Sequence, residues 1–145
     1  MAHDNHNFYF LYSAYDSISV NYFMQVWIDI DNNPNTGYQG PNAEFPLGAD
    51  YMLEGQYLYK YNQTSGTAWD WQAGSMIGYS WFSSYGEIFI PRSWMEDTNE
   101  IRVFFKGRND TNNDGVVDWN DEVDYFPDTA LEGDSEFVTA HDRLS

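Results

Sequence analysis

The feature that most constrains this chain is the period of its apolar residues. They recur at every second position in short runs rich in Tyr, Phe, Ile and Val, each closed by Gly, Asn, Asp or Pro. Successive side chains of a strand point to opposite faces, so the pattern predicts strands and leaves little room for helix. The runs place strands near Asn7–Ser13, Ser17–Asp31, Ala49–Glu54, Gln56–Asn62, Trp69–Gln72, Ser75–Phe82, Tyr85–Pro91, Ile101–Gly107 and Asp121–Tyr125. One helical turn is expected over Arg92–Glu96, behind Pro91. Many short strands with frequent turns predict an all-β fold: an antiparallel two-sheet β-sandwich, jelly-roll-like.

The alternation also sorts faces. In the second run Met24, Val26, Ile28 and Ile30 share one side and are expected in the core, while Phe23, Gln25, Trp27 and Asp29 share the other. In Ile101–Lys106 the residues Ile101, Val103 and Phe105 are expected to be buried, opposite Arg102, Phe104 and Lys106. Some aromatics must therefore face outward or lie under a loop. The 145 residues suit a single domain, 1–145, with a core over about 8–128 and a partly mobile acidic tail over 129–145.

Composition narrows the chemistry. With 42% apolar and 19% aromatic residues the chain has enough apolar area to fold. It has no cysteine, which removes disulfides, thiolate metal sites and cysteine nucleophiles together. The formal charge of −17 repels phosphate backbones and anionic lipid, so nucleic acid is not an expected partner. No apolar run approaches the roughly 20 residues that span a bilayer, so membrane insertion is not expected either. Cations and neutral ligands remain. The polar opening Met1–Asn7 suggests a piece of a larger, exported multidomain protein.

Two oxygen-rich segments read as cation sites. Asp110, Asn112, Asp114, Asp118 and Asp121 stand at positions 1, 3, 5, 9 and 12 of one loop, with Gly115 for the sharp turn and Val116 offering a backbone carbonyl. A hard cation such as Ca²⁺ takes six to eight oxygens at about 2.3–2.6 Å, which this spacing can wrap. Position 12 is Asp121 rather than Glu, a shorter final ligand that weakens bidentate closure or shifts it to Glu122 or Asp124. The loop resembles those of dockerins more than those of sensor EF-hands, and its plain alternative is a solvated acidic turn. The second segment runs from Asp29 to Gly37. Asp29 and Asp31 point the same way and repel, a divalent ion would keep both ionised, and Asn33 and Asn35 can add carbonyl oxygens. Here the plain alternative is an Asn/Pro turn capping a hairpin.

The stretches Trp27–Tyr38, Gly48–Glu54, Gln56–Tyr61, Trp69–Trp71 and Asp124–Asp128 together resemble a β-sandwich module of secreted bacterial polysaccharide-active and adhesive proteins, similar in layout to family-nine-type carbohydrate-binding modules. The resemblance implies a calcium-stabilised sandwich in which Asp50 joins Asp29 or Asp31 around one ion. It also implies a location outside the cell, secreted or on the cell surface, and binding of a polysaccharide rather than its cleavage.

Trp and Tyr rings stack on the apolar faces of sugars. The densest group is Trp69, Trp71, Tyr79, Trp81, Phe82 and Tyr85, and the expected ligand contacts are Trp69, Trp71, Tyr79 and Trp81, with Trp27 as a further choice. Core filling is the plain alternative for any one of them. Trp119, inside the calcium loop, is expected to be a lid. Glu54 and Glu87 are the best general-acid candidates, and ion pairs with Lys60, Arg92 or Arg102 are their plainer role. His3, His6 and His141 lie at termini expected to fray. No nucleophile elbow or phosphate-cradling loop is present. The expectation is a non-enzymatic, calcium-stabilised carbohydrate-binding module that tethers a parent enzyme or adhesin. Its rival is a calcium-dependent spacer domain of a bacterial surface protein that binds no sugar.

Overall fold

The computed structural model describes residues 2–13, 25–42, 45, 47–82, 85–108, 123–126 and 138–141. Its strands are β1 (Ala2–His3), β2 (Asn7–Ser13), β3 (Gln25–Asp29), β4 (Gly37–Tyr38), β5 (Tyr51–Glu54), β6 (Tyr57–Lys60), β7 (Ser65–Gly66), β8 (Ser75–Met76), β9 (Gly78–Phe82), β10 (Tyr85–Pro91), β11 (Glu100–Arg108), β12 (Val123–Phe126) and β13 (Val138–His141). A 3-10 helix, Arg92–Met95, joins β10 to β11. The chain forms the expected all-β, antiparallel two-sheet sandwich. The smaller sheet has the order β1-β2-β10-β9 and the larger β12-β11-β3-β5-β6-β8, with β13 also on β11. A two-residue parallel pair, β4 with β7, lies outside both. Among the described residues no helix is long and apolar enough to cross a membrane.

Register explains the core. In an antiparallel pair, residues directly opposite share a face. Val26 faces Leu53 on one neighbour and Phe105 on the other, and Ile28 faces Tyr51 and Val103. These side chains meet Phe8, Phe10, Ile88 and Ile90 of the smaller sheet in the inter-sheet core. The other face of β3 is buried as well. Trp27 stands between Met52 and Phe104, and the segments around Tyr38, Leu47, Ala49 and Tyr61 cover all three. Trp27 stacks with Tyr38 at 5.5 Å and with Phe104 at 6.0 Å. The outer aromatics thus lie under a loop, and the larger sheet has a core on each side.

Where strands differ from expectation, the backbone hydrogen bonds give the reason. The expected strand over Ser75–Phe82 is broken at Ile77, whose N–H donates to Gln56 O at 2.9 Å while its side chain enters the inter-sheet core. There the chain crosses from the larger sheet to the smaller. The segment Trp69–Gln72 makes only one bridge, Trp71 with Tyr61. Of the expected second run, Gln25–Asp29 is a strand and Ile30 and Asp31 lie beyond its end, while residues 17–24 lie outside the described ones. At the amino end His3 is in β1 rather than frayed. Asp4 holds that hairpin closed, accepting the N–H groups of His6 and Asn7 at 2.7 Å each and the Tyr9 hydroxyl at 2.9 Å. Val138–His141, in the stretch expected to be mobile and carrying His141, pairs with Glu100–Val103 of β11.

Arg92 closes one end of the sandwich. It is buried over the Phe8 ring at 5.6 Å, and it donates to Thr98 O at 3.1 Å, to Asp4 O at 3.2 Å and to Asn99 Oδ1. Trp27 anchors the outer layer in the same way that Phe8 and Phe10 anchor the inner one. Truncating a buried Trp costs about 3–5 kcal/mol. Trp27→Ala is therefore expected to lower the unfolding free energy by about that amount in urea titrations. A loss below about 1 kcal/mol would show that the outer layer is not packed as a core.

Candidate functional site

The carboxyl end of β3 meets the start of β5 in an acidic corner. Asp29, Asp31 and Asp50 each place a carboxylate oxygen within 4.8 Å of the others. The resemblance implies that Asp50 joins Asp29 or Asp31 around one ion, and the structure places the Asp50 carboxylate beside both. The three do different work. Asp29 is fully buried. Its Oδ1 accepts the N–H groups of Asp31 at 3.0 Å and Asn32 at 2.8 Å, which turns the chain out of the strand through Asn32 at φ 57°. Its Oδ2 accepts Nε of Arg102 at 3.0 Å and a second guanidinium nitrogen. Arg102 stands directly opposite Asp29 in the β3–β11 register. Burial holds the Asp29 carboxyl above its ordinary value, with the Arg102 guanidinium and the Asp31 and Asn32 N–H groups opposing the rise only in part.

Asp50 is pinned to the same strand end. Its N–H donates to Ile28 O at 2.9 Å and its Oδ2 accepts the Ile30 N–H at 2.9 Å. Burial is the largest influence on its carboxyl, which is pushed up from 3.8 to about 6, with the Ile30 N–H opposing and the charges of Asp31, Asp29 and Glu96 adding to the rise. Asp31 is exposed, accepts the Asn33 N–H at 2.9 Å, and has the Thr36 hydroxyl within 3.0 Å of both its oxygens. Asn33 Oδ1 accepts the Asn35 N–H at 3.1 Å, so these two side chains knit the turn. The turn is pressed against the 48–50 arm. A Cβ on Gly48 would lie 1.7 Å from Thr36 O, and one on Gly37, at φ +66°, would lie 2.6 Å from the Ala49 backbone.

Three carboxylates with hard oxygen donors form a set that suits Ca²⁺. With Asp29 committed to two N–H groups and a guanidinium, Asp31 and Asp50 hold the remaining carboxylate capacity, while Asn33 O accepts the N–H of Thr36 at 3.1 Å and its hydroxyl at 2.8 Å. The other expected ligands, Asp110, Asn112, Asp114, Val116, Asp118 and Asp121, lie outside the described residues, as does Trp119.

The expected aromatic group is divided between the two sheets. Trp69, Trp71 and Trp27 come together in the outer layer, but Trp27 is only 1% exposed, with rings stacked against it, so it serves as core rather than as an open platform. Trp71 is half-buried beside Tyr61, at a ring distance of 5.0 Å. Trp69 is 60% exposed, and its ring is met at 5.6–6.0 Å by Tyr38, Trp71 and Trp27 at interplanar angles of 67–88°. Tyr79 is exposed on β9 of the smaller sheet, far in topology from that cluster. Trp81 shares β9, and its side chain, like those of Phe82 and Tyr85, is outside the described ones.

Glu54 accepts Nε2 of Gln25 at 2.7 Å and lies in the larger sheet, while Glu87 is exposed in the smaller. Lys60 pairs with Glu96 and Arg102 with Asp29. The structural role of Arg102 escapes sequence reasoning because it depends on the register of two strands 73 positions apart. No family model matches the chain, and no curated protein or solved structure is significantly similar to it.

Two outcomes follow from this geometry. Arg102→Met leaves a buried carboxylate without its cation and is expected to cost about 3–5 kcal/mol by chemical denaturation, whereas a loss near zero would show the pair to be dispensable. The Asp50 carboxyl binds its proton more tightly folded than unfolded. Its destabilising charge is absent below pH 3.8 and fully present above about 6. In chelator, Asp50→Asn is expected to melt above the wild type at pH 7 and level with it near pH 4. An advantage independent of pH would refute that assignment.

Proposed function

We propose that this chain is a non-catalytic carbohydrate-binding module, stabilised by calcium, that tethers a larger secreted or cell-surface enzyme or adhesin to a polysaccharide. The observation that carries the reading is Trp69. Its ring is 60% exposed, and it is set apart from the other exposed apolar side chains by standing on a base of three other rings, those of Tyr38, Trp71 and Trp27. Stacking on a sugar then requires little further ordering, which is the advantage of a preorganised site. The net charge of −17 favours a neutral guest over an anionic one. Asp31 and Asp50 are the residues that would hold calcium at the corner, with Asp29 fixing the turn that presents them. The ion would supply the positive charge that lets both remain ionised.

Trp fluorescence titration against a panel of plant, algal and microbial polysaccharides is expected to find at least one ligand. Trp69→Ala should weaken it at least tenfold, about 1.4 kcal/mol, with the melting temperature nearly unchanged. Silence across the panel would favour the rival reading of a calcium-dependent spacer domain in a surface protein. Separately, CaCl₂ at a hundred times its dissociation constant adds about 2.7 kcal/mol by mass action. Chelation should therefore lower the melting temperature by several degrees, and calcium should reverse the stability order of Asp50→Asn and wild type. A melt indifferent to both would remove calcium from the proposal.

A further inference from the structure

A second surface of the molecule has the chemistry to take a ligand, on the opposite side of the larger sheet from Trp69. A cleft of about 220 Å³ opens where β6 and β8 border the inter-sheet core. Its floor is Tyr51 and Leu58, both members of that core. One wall is Trp94, carried on the 3-10 helix and 43% exposed. Around the rim stand Lys60, Gln72 and Ser75. The side chains of Gln72 and Ser75 are exposed and make no hydrogen bond among the described residues. Lys60 lies 5.7 Å over the Tyr51 ring and is ion-paired with Glu96.

We infer that this cleft is a second saccharide subsite, sized for a single neutral pyranose ring, an inference that rests on the carbohydrate-binding reading above and deepens it. The volume lies below the roughly 300–1,000 Å³ of sites that enclose larger ligands, so the cleft takes up one ring, either a free glycoside or one residue of a chain whose other rings lie outside it. An indole wall with a carboxamide, a hydroxyl and an ammonium at the rim matches a ring with apolar C–H faces and equatorial hydroxyls. Glu96 sets the charge preference. A sugar carrying its own carboxylate has to compete with Glu96 for Lys60 in a molecule of charge −17, whereas a neutral sugar hydroxyl can use the pair as it stands. Two subsites on opposite faces of one sheet let the domain hold two chains, or two points of one bent chain, and gain avidity from both.

The test is a titration of the ¹⁵N-labelled full chain, following the Trp indole signals, with methyl β-glucoside, methyl β-galactoside, methyl α-mannoside and methyl β-glucuronide to about 50 mM, above the millimolar range expected for one ring. Trp94→Phe assigns the signal. At least one neutral glycoside is expected to shift the Trp94 indole saturably. Gln72→Ala should weaken that response at least fivefold, Trp69→Ala should leave it unchanged, and the glucuronide should bind at least tenfold more weakly. A Trp94 signal unmoved by every neutral glycoside, a response unaffected by Gln72→Ala, or a preference for the glucuronide overturns the inference. If Trp69 responds to a polysaccharide while Trp94 stays silent, only the cleft is refuted. If both stay silent, the carbohydrate reading falls with it.

Discussion

The ion pair between Asp29 and Arg102 is the constraint on which the acidic corner depends. A carboxylate with no exposure is tolerable only when its charge is compensated and its lone pairs are used, and here two backbone N–H groups and a guanidinium do both. The same bonds end β3, turn the chain outward, and set the direction in which Asp31 leaves. Asp50 arrives from the next strand already tied to Ile28 and Ile30. The acidic corner is thus a product of strand register and not of loop sequence alone.

The second consequence of a centrally placed β3 is a sheet with no wet face around it. Because Trp27 is as deeply buried as Val26 and Ile28, the segments that cover it behave as a packed layer rather than as connecting loops. Glycines at 37 and 48 let the turn and the arm approach to backbone contact, closer than any side chain would allow. The rings that meet Trp69 belong to this layer.

Much of the fold is legible in the sequence, because period two is a strong signal wherever a strand has one core face. β2 and β10 have the bounds their alternation predicts, and of the inward set Ile101 and Val103 are fully buried and Phe105 half-buried, while Phe104 on the opposite face is fully buried beneath the outer layer. Legibility fails where the deciding partner is distant. The break at Ile77 cannot be read locally, since both sides alternate properly and only the change of sheet explains it. Trp27 looks available on its strand face until the covering segment is in place. The acidic corner was partly legible, as Asp29 and Asp31 by spacing and Asp50 by resemblance, while Arg102 required the register. Trp94 carried no signal beyond being one tryptophan among six.

The pairing along β11 carries a consequence for the integrity of the whole domain. Its residues 105–108 are matched by β12 and its residues 100–103 by β13, end to end on one border. The far carboxyl-terminal stretch therefore serves as a selvedge. With it removed, those N–H and C=O groups of residues 100–103 that point away from β3 would lie open at the rim of the larger sheet, a template for pairing with a neighbouring molecule.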